Sequence, residues 1–249
     1  MIKDREALSR GVLPKLSRLN CREVWNAGMV HGASFSAHDI PHCPTYLPGG
    51  LPQRLISFPK AKVLYNKELK SGNPDYHCNA FVHFYCDDFY FDGPKNSIWT
   101  FPNQALKILR HYDGVISPDF STYADFPDPL KRYNTYRMRA FGYACFSSGI
   151  PIINNVRWGT DETWEYCFDG IDQNSVVSIG TVASDLRDER WRLLFNQGFR
   201  KMQCVLSPKT VILYGSVNRD ILRWSEYAGL QLLLFPSETN IAHQKGGPL

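Results

Sequence analysis

From Asn79 onward the chain alternates short apolar runs with helix-like segments. The runs are 80–85 (AFVHFY), 114–116 (GVI), 150–153 (IPII), 176–179 (VVSI), 210–214 (TVILY) and 230–235 (LQLLLF). Most are apolar at consecutive rather than alternate positions, as expected of parallel strands buried on both faces. Each is followed by residues enough for a helical crossover. Ala105, Leu106, Ile108 and Leu109 give residues 103–109 an apolar helical face. Residues 129–146 form a longer helical candidate, 220–227 a shorter one, and 162–168 hold barely two turns. The clearest helix carries Trp191, Leu194, Phe195, Gly198, Phe199, Met202, Val205 and Leu206 at three- and four-residue spacing, and Pro208 stops it.

This rhythm predicts an α/β protein in which parallel strands and helical crossovers build a TIM-barrel-like or incomplete β/α barrel. An open doubly wound sheet is the alternative. The barrel is preferred because nearly every run ends in polar residues and no Gly-rich dinucleotide turn follows the first. Residues 71–249 are expected to form the α/β core domain, and residues 1–70 a basic amino-terminal helix and irregular arm packed on it. Leu8, Val12, Leu16 and Leu19 have helical spacing, with Pro14 moving the helix start to about Leu13. Pro41, Pro44, Pro48, Gly49, Gly50, Pro52 and Pro59 then punctuate the arm. Residues 55–58 and 63–65 are expected as short additional strands.

Charge adds one distinction. The formal net charge is +4, too small to imply nucleic acid by itself. Residues 1–70, however, hold eleven Lys/Arg against five Asp/Glu, a surplus that suits contact between the arm and an anionic partner. Hydrophobic residues make up 43% of the chain, which excludes extensive disorder. The seven cysteines show no repeating short spacing. No signal-like segment and no membrane-length apolar stretch is visible, so a cytoplasmic protein without membrane contact is expected.

The candidate chemistry lies at the ends of the apolar runs, where parallel α/β proteins carry their sites. The first ends in Asp87 and Asp88, the second in Ser117, Asp119 and Ser121, the third in Asn155, Arg157 and Trp158. Crowded carboxylates drive their pKa values apart, which lets one donate a proton while the other stays ionised. Asp119, Asp87 and Asp88 are therefore the catalytic candidates, and Ser117, Ser121, Asn155, Arg157 and Trp158 the substrate-binding ones. Arg157 suits a phosphate or carboxylate, and Asn155 a hydroxyl. Capping is the competing role for each Asp, because Asp tolerates turns and satisfies helix amino termini. His38, His42 and Cys43, like His77, Cys78, His83 and Cys86, are zinc-type residues without diagnostic spacing. No metal site and no cofactor is assigned.

Several motifs in order also resemble a known family. They are Ser117-Pro-Asp-Phe-Ser121, the run from Tyr133 and Asn134 through Arg137 and Arg139 to Gly142, Asn155-Val-Arg-Trp158, Cys167-Phe-Asp-Gly-Ile171 and Leu213-Tyr-Gly215. Over about residues 75–220 the chain resembles an uncharacterised domain family of bacterial, phage and mobile-element proteins. The resemblance implies no activity, but it adds Asn134 and Arg137, three positions apart on one helix, to the binding candidates.

The leading expectation is a hydrolase or transferase acting on a glycosidic or N-glycosidic bond of a sugar-containing or nucleotide-like small molecule. The first alternative is a non-catalytic regulatory protein that binds nucleic acid, through the basic arm, or another protein. The second is a metal-dependent phosphoester hydrolase using the same carboxylates. The sequence does not specify an oligomeric state.

Overall fold

Seven parallel strands lie side by side in chain order: β1 (Leu55–Ser57), β2 (Cys78–His83), β3 (Tyr112–Ile116), β4 (Ile152–Asn155), β5 (Val176–Gly180), β6 (Thr210–Tyr214) and β7 (Gln231–Phe235). The computed structural model describes residues 25–238 except Pro74 and Ala183. The helix expected near Leu13 lies outside the described residues. Sequential order with every neighbour parallel means that each right-handed crossover returns on the same side. The sheet accordingly curls into an incomplete α/β barrel, with helices between its strands.

The register brings the carboxyl ends nearly level. Ser57 stands beside His83, Ile116 beside Ile153, Asn155 beside Ser178, and Gly180 beside Tyr214. β1 and β7 do not pair. Glu238, just past β7, instead accepts a hydrogen bond from Ser57 Oγ (3.3 Å) and meets Lys60 Nζ at 2.7 Å.

Consecutive apolar positions have the meaning their pattern suggests in β2 to β6, whereas β7, at the edge of the sheet, has no buried residue. Phe81, Tyr85, Ile116, Ile153, Ile212 and Tyr214 form the inner cluster. Their neighbours Val82, Phe84, Val115 and Ile152 pack outward into one helix-covered cluster, and Val211 and Leu213 into another. The principal helices are α1 (Phe58–Lys70), α2 (Phe89–Asp92), α3 (Pro102–Leu109), α4 (Asp128–Ser147), α5 (Glu189–Leu206) and α6 (Arg219–Tyr227). Pro59, Pro102 and Pro129 fall in first turns, where a missing N–H costs nothing. Asp188 caps α5 by accepting from the Arg190 and Trp191 N–H groups.

Two local expectations change. Residues 55–57 are a strand, but Val63–Tyr65 belong to α1, where Phe58, Ala61 and Tyr65 supply the buried positions at spacings of three and four. Three consecutive apolar residues cannot distinguish those states; the wider helical period can. The segment after β4 is a single 3₁₀ piece, Asp161–Glu165.

The central brace is Arg139, on α4 and wholly buried. Its Nη1, Nη2 and Nε donate to the carbonyls of Asn155 (2.9 Å), Cys167 (3.0 Å) and Asp169 (3.0 Å). One planar donor set thus joins α4 to the end of β4 and to the loop beyond it. Burial pushes the guanidinium down to about 10, opposed by Cys43, Cys167 and Asp169, so the group stays charged at neutral pH. The same loop anchors residues 35–46: His38 meets Asp169 and His42 meets Asp172, each at 2.8 Å, and the Cys43 N–H donates to the Gly170 carbonyl.

Arg139→Ala takes the donor from the buried carbonyls of Asn155 and Cys167, each worth about 1–3 kcal/mol, and from the part-buried carbonyl of Asp169. A stability loss above about 3 kcal/mol in urea unfolding is expected, with Arg139→Lys recovering only part because an ammonium cannot reproduce the fork.

Candidate functional site

Four strand ends contribute to one hydrogen-bonded rim. Asn155, at the end of β4, is its hub. Its Nδ2 donates to Asp119 Oδ1 (2.8 Å) and the Pro118 carbonyl (3.3 Å), and its own N–H donates to Ser117 Oγ (2.8 Å). Tyr85, just beyond β2, has its hydroxyl 3.0 Å from Asn155 Oδ1 and 2.7 Å from Ser178 Oγ on β5. Because the amide NH₂ is committed to Asp119 and Pro118, Oδ1 needs a donor, and Tyr85 is that donor. Ser178 therefore donates to Tyr85 rather than to the nearby Ile212 carbonyl, since each hydroxyl has one hydrogen. The chain is polarised from Ser178 through Tyr85 and Asn155 toward Asp119.

Asp119 completes the rim with Arg157, whose Nη1 lies 3.3 Å from its Oδ2, and the two side chains are only 11% and 13% exposed. Asp88 occupies a different setting. Its two oxygens accept from the Ser121 N–H (3.0 Å) and hydroxyl (2.9 Å). Burial raises its pKa, Asp119 adds to the rise, and the Ser121 bonds and Arg137 oppose it. Cys86 lies within the field of Asp119, Asp88, Asp87 and Glu238; burial above all, then those charges, push its thiol up to about 12 and suppress the thiolate nucleophile.

The remaining candidates divide. Asp87 is exposed and its Oδ1 accepts the Phe89 N–H (2.8 Å), the capping role weighed for it. Asn134 Nδ2 donates to the Ser121 carbonyl. Arg137 donates to Asn134 Oδ1 (2.7 Å) and pairs with Asp92, while its guanidinium lies 3.9 Å over the Phe120 ring. It therefore reaches the Asp119 loop through Phe120. Among the described residues no three His, Cys, Asp or Glu side chains form a metal-holding group. Likewise no helix there is long and apolar enough to cross a membrane.

Beside this rim a cavity of about 430 Å³ opens at the carboxyl ends of β4 and β5, beneath the start of α5. Arg157 belongs both to its wall and to the Asp119 pair. Trp158, Trp191, Phe195 and Tyr123 contribute aromatic surface, and Gly180 forms part of the floor. A Cβ on Gly180 would collide with the Tyr85 ring, and one on Gly198 with the Trp158 indole. Absent side chains at these two positions let the rings seat.

Sequence reasoning passed over Tyr85, Ser178, Thr122 and Trp191. Ser178 had a visible signal: a hydroxyl inside an otherwise apolar, doubly buried strand needs a partner. Tyr85 read as one more apolar strand residue.

Fold and rim define an α/β incomplete barrel with carboxylate, amide and guanidinium groups gathered at its strand ends. The chain belongs to the family described as "Domain of unknown function (DUF4417)", which matches residues 35–227. That match takes in the motifs by which the resemblance to a phage-associated family was drawn. The chain is similar to the "Gene 1 protein" of Mycobacterium phage L5, 30% identical over 138 residues, covering 55% of this chain and 57% of that protein. It is similar also to the "Gene 1 protein" of Mycobacterium phage D29, 29% identical over 135 residues, covering 54% and 48% respectively. The matched segment thus spans about half the length of these curated relatives. No solved structure matches the chain.

His83, at the end of β2, is buried against the Tyr214 ring (centroids 4.2 Å apart), and its Nδ1 accepts the Tyr85 N–H. Burial, aided by Lys60, lowers its pKa to about 3 from 6.5. The unfolded chain binds this proton between those values and the folded one does not, so stability falls as pH drops through that window. His83→Phe is expected to flatten the decline of the thermal midpoint between pH 6.5 and 4; an unchanged slope would assign the decline to other groups.

Proposed function

We propose that this protein is a cytoplasmic hydrolase or transferase that cleaves the N-glycosidic bond of a nucleoside- or nucleotide-like substrate. The observation that supports it is the unlike setting of two carboxylates from neighbouring strand ends. Asp88, with its raised pKa, is suited to hold a proton for the departing base. Asp119, ion-paired with Arg157 and hydrogen-bonded by Asn155, is suited to act as the anion that activates water or an acceptor hydroxyl, or attacks the anomeric carbon. The aromatic-walled cavity beside Arg157 offers room for the base, and Arg157 a contact for an anionic group on the sugar. Ser121, bonded to both oxygens of Asp88, and Asn134, bonded to the Ser121 carbonyl, position the acid.

The test is release of free base and reducing sugar from a panel of nucleosides, nucleotides and nucleotide sugars, followed by chromatography. Turnover is expected, with kcat/KM falling by about 100-fold or more in Asp119→Asn and in Asp88→Asn. Asp119→Asn keeps an acceptor for Asn155 but leaves Arg157 without its counter-ion, so both variants are assayed well below their thermal midpoints. The wild-type rate should decline as pH rises through the Asp88 pKa, and Asp88→Asn should lack that limb. No release from any member of the panel would overturn the proposal.

A further inference from the structure

The cavity at β4 and β5 carries more information than its size. Thr122, only 3% exposed, belongs to its wall, although its Oγ1, which has no hydrogen-bond partner among the described residues, is itself closed off from solvent. Two carboxylates, Asp125 and Asp185, line the same cavity, and neither side chain is engaged by another among the described residues. Trp191 stands at the start of α5 with 44% of its surface exposed, across a lining that includes Trp158 and Tyr123.

We infer that this cavity is the base-recognition subsite, and that it takes a purine carrying an exocyclic amino group, an adenine-type base. This inference rests on the N-glycosidic reading for its link to chemistry, but not for its test. Two features of a purine match the lining. Its flat π-face suits the indole and phenol surfaces, which stack bases without regard to sequence. Its exocyclic NH₂ offers hydrogens to carboxylates, as amino groups of bases do to Asp and Glu elsewhere. A base with a carbonyl at the same position would instead set an oxygen against Asp125 and Asp185 and meet repulsion from both. Arg157, shared by the cavity and the Asp119 pair, then lies between base and reaction centre, on the side of the sugar.

Binding is measured with the full chain bearing Asp119→Asn, so that no turnover disturbs the titration. Adenosine and inosine, which differ in amino against carbonyl at one ring position, are titrated by tryptophan fluorescence and calorimetry. Saturable binding of adenosine, with inosine at least about tenfold weaker, is expected. Trp191→Ala should weaken adenosine at least about tenfold without moving the thermal midpoint, because an exposed side chain contributes little to folding. Asp185→Asn should narrow the gap between the two nucleosides. Equal affinities, no saturation by about 1 mM of either, or an unaltered titration in Trp191→Ala would overturn the inference. Wild-type turnover reports separately on the reaction: adenosine bound by the variant but not cleaved by the wild type leaves the subsite standing and removes the N-glycosidic reading.

Discussion

The Arg139 guanidinium sits fully buried on α4, and its hydrogen bonds go to the carbonyl oxygens of Asn155, Cys167 and Asp169. A charge so far from water is tolerable only when its donors are met, and here Nε, Nη1 and Nη2 each meet a backbone carbonyl. The consequences spread in two directions. Toward the strand ends, the carbonyl of Asn155 is pinned, which fixes where its side chain can reach. Toward the outside, Asp169 and Gly170 are held where His38 and the Cys43 N–H find them, so residues 35–46 are tied down through the same loop.

Once Asn155 is placed, the order of the rim follows from counting hydrogens. Its amide has one acceptor and two donors, Tyr85 and Ser178 have one hydrogen each, and Asp119 only accepts. With the amide hydrogens on Asp119 and the Pro118 carbonyl, Tyr85 gives its hydrogen to Asn155 Oδ1, so the run from Tyr85 through Asn155 ends on Asp119. Asp88 belongs to a separate bonding group, through Ser121 and Asn134, and differs from Asp119 because it has no guanidinium paired with it. Burial raises the pKa of Asp88, whereas Asp119 sits in an ion pair with Arg157, and the proposed chemistry relies on that difference in setting.

Much of the architecture was legible along the chain because burial leaves a local trace. Val211, Ile212, Leu213 and Tyr214 have no polar alternation, and in the structure Val211 and Leu213 pack outward while Ile212 and Tyr214 pack inward. The helix ending before Pro208 and the curled parallel sheet follow from the same kind of pattern. Val63–Tyr65 were misread as a strand because three apolar residues fit either period, and the α1 face emerges only with Phe58 and Ala61 included. At the rim, Asp119, Asn155 and Arg157 stood out as polar residues at the ends of apolar runs. Tyr85 did not, because nothing local distinguishes a phenol that donates a hydrogen bond from one that only packs.

By itself the sequence determined where the strands lie and most of the longer helices, α1 apart, that the strands are parallel and the inner ones doubly buried, and which polar residues collect at their ends. These are properties of nearest neighbours and of periodicity along one chain. The tertiary structure decided which of those residues meet. It set Asp119 against Arg157, gave Asp88 to Ser121, turned Asp87 into a cap, and opened a cavity between residues as distant in sequence as Thr122 and Trp191. Such pairings depend on strand order, register and the curl of the sheet, which bring side chains together across space and leave no mark in the local sequence.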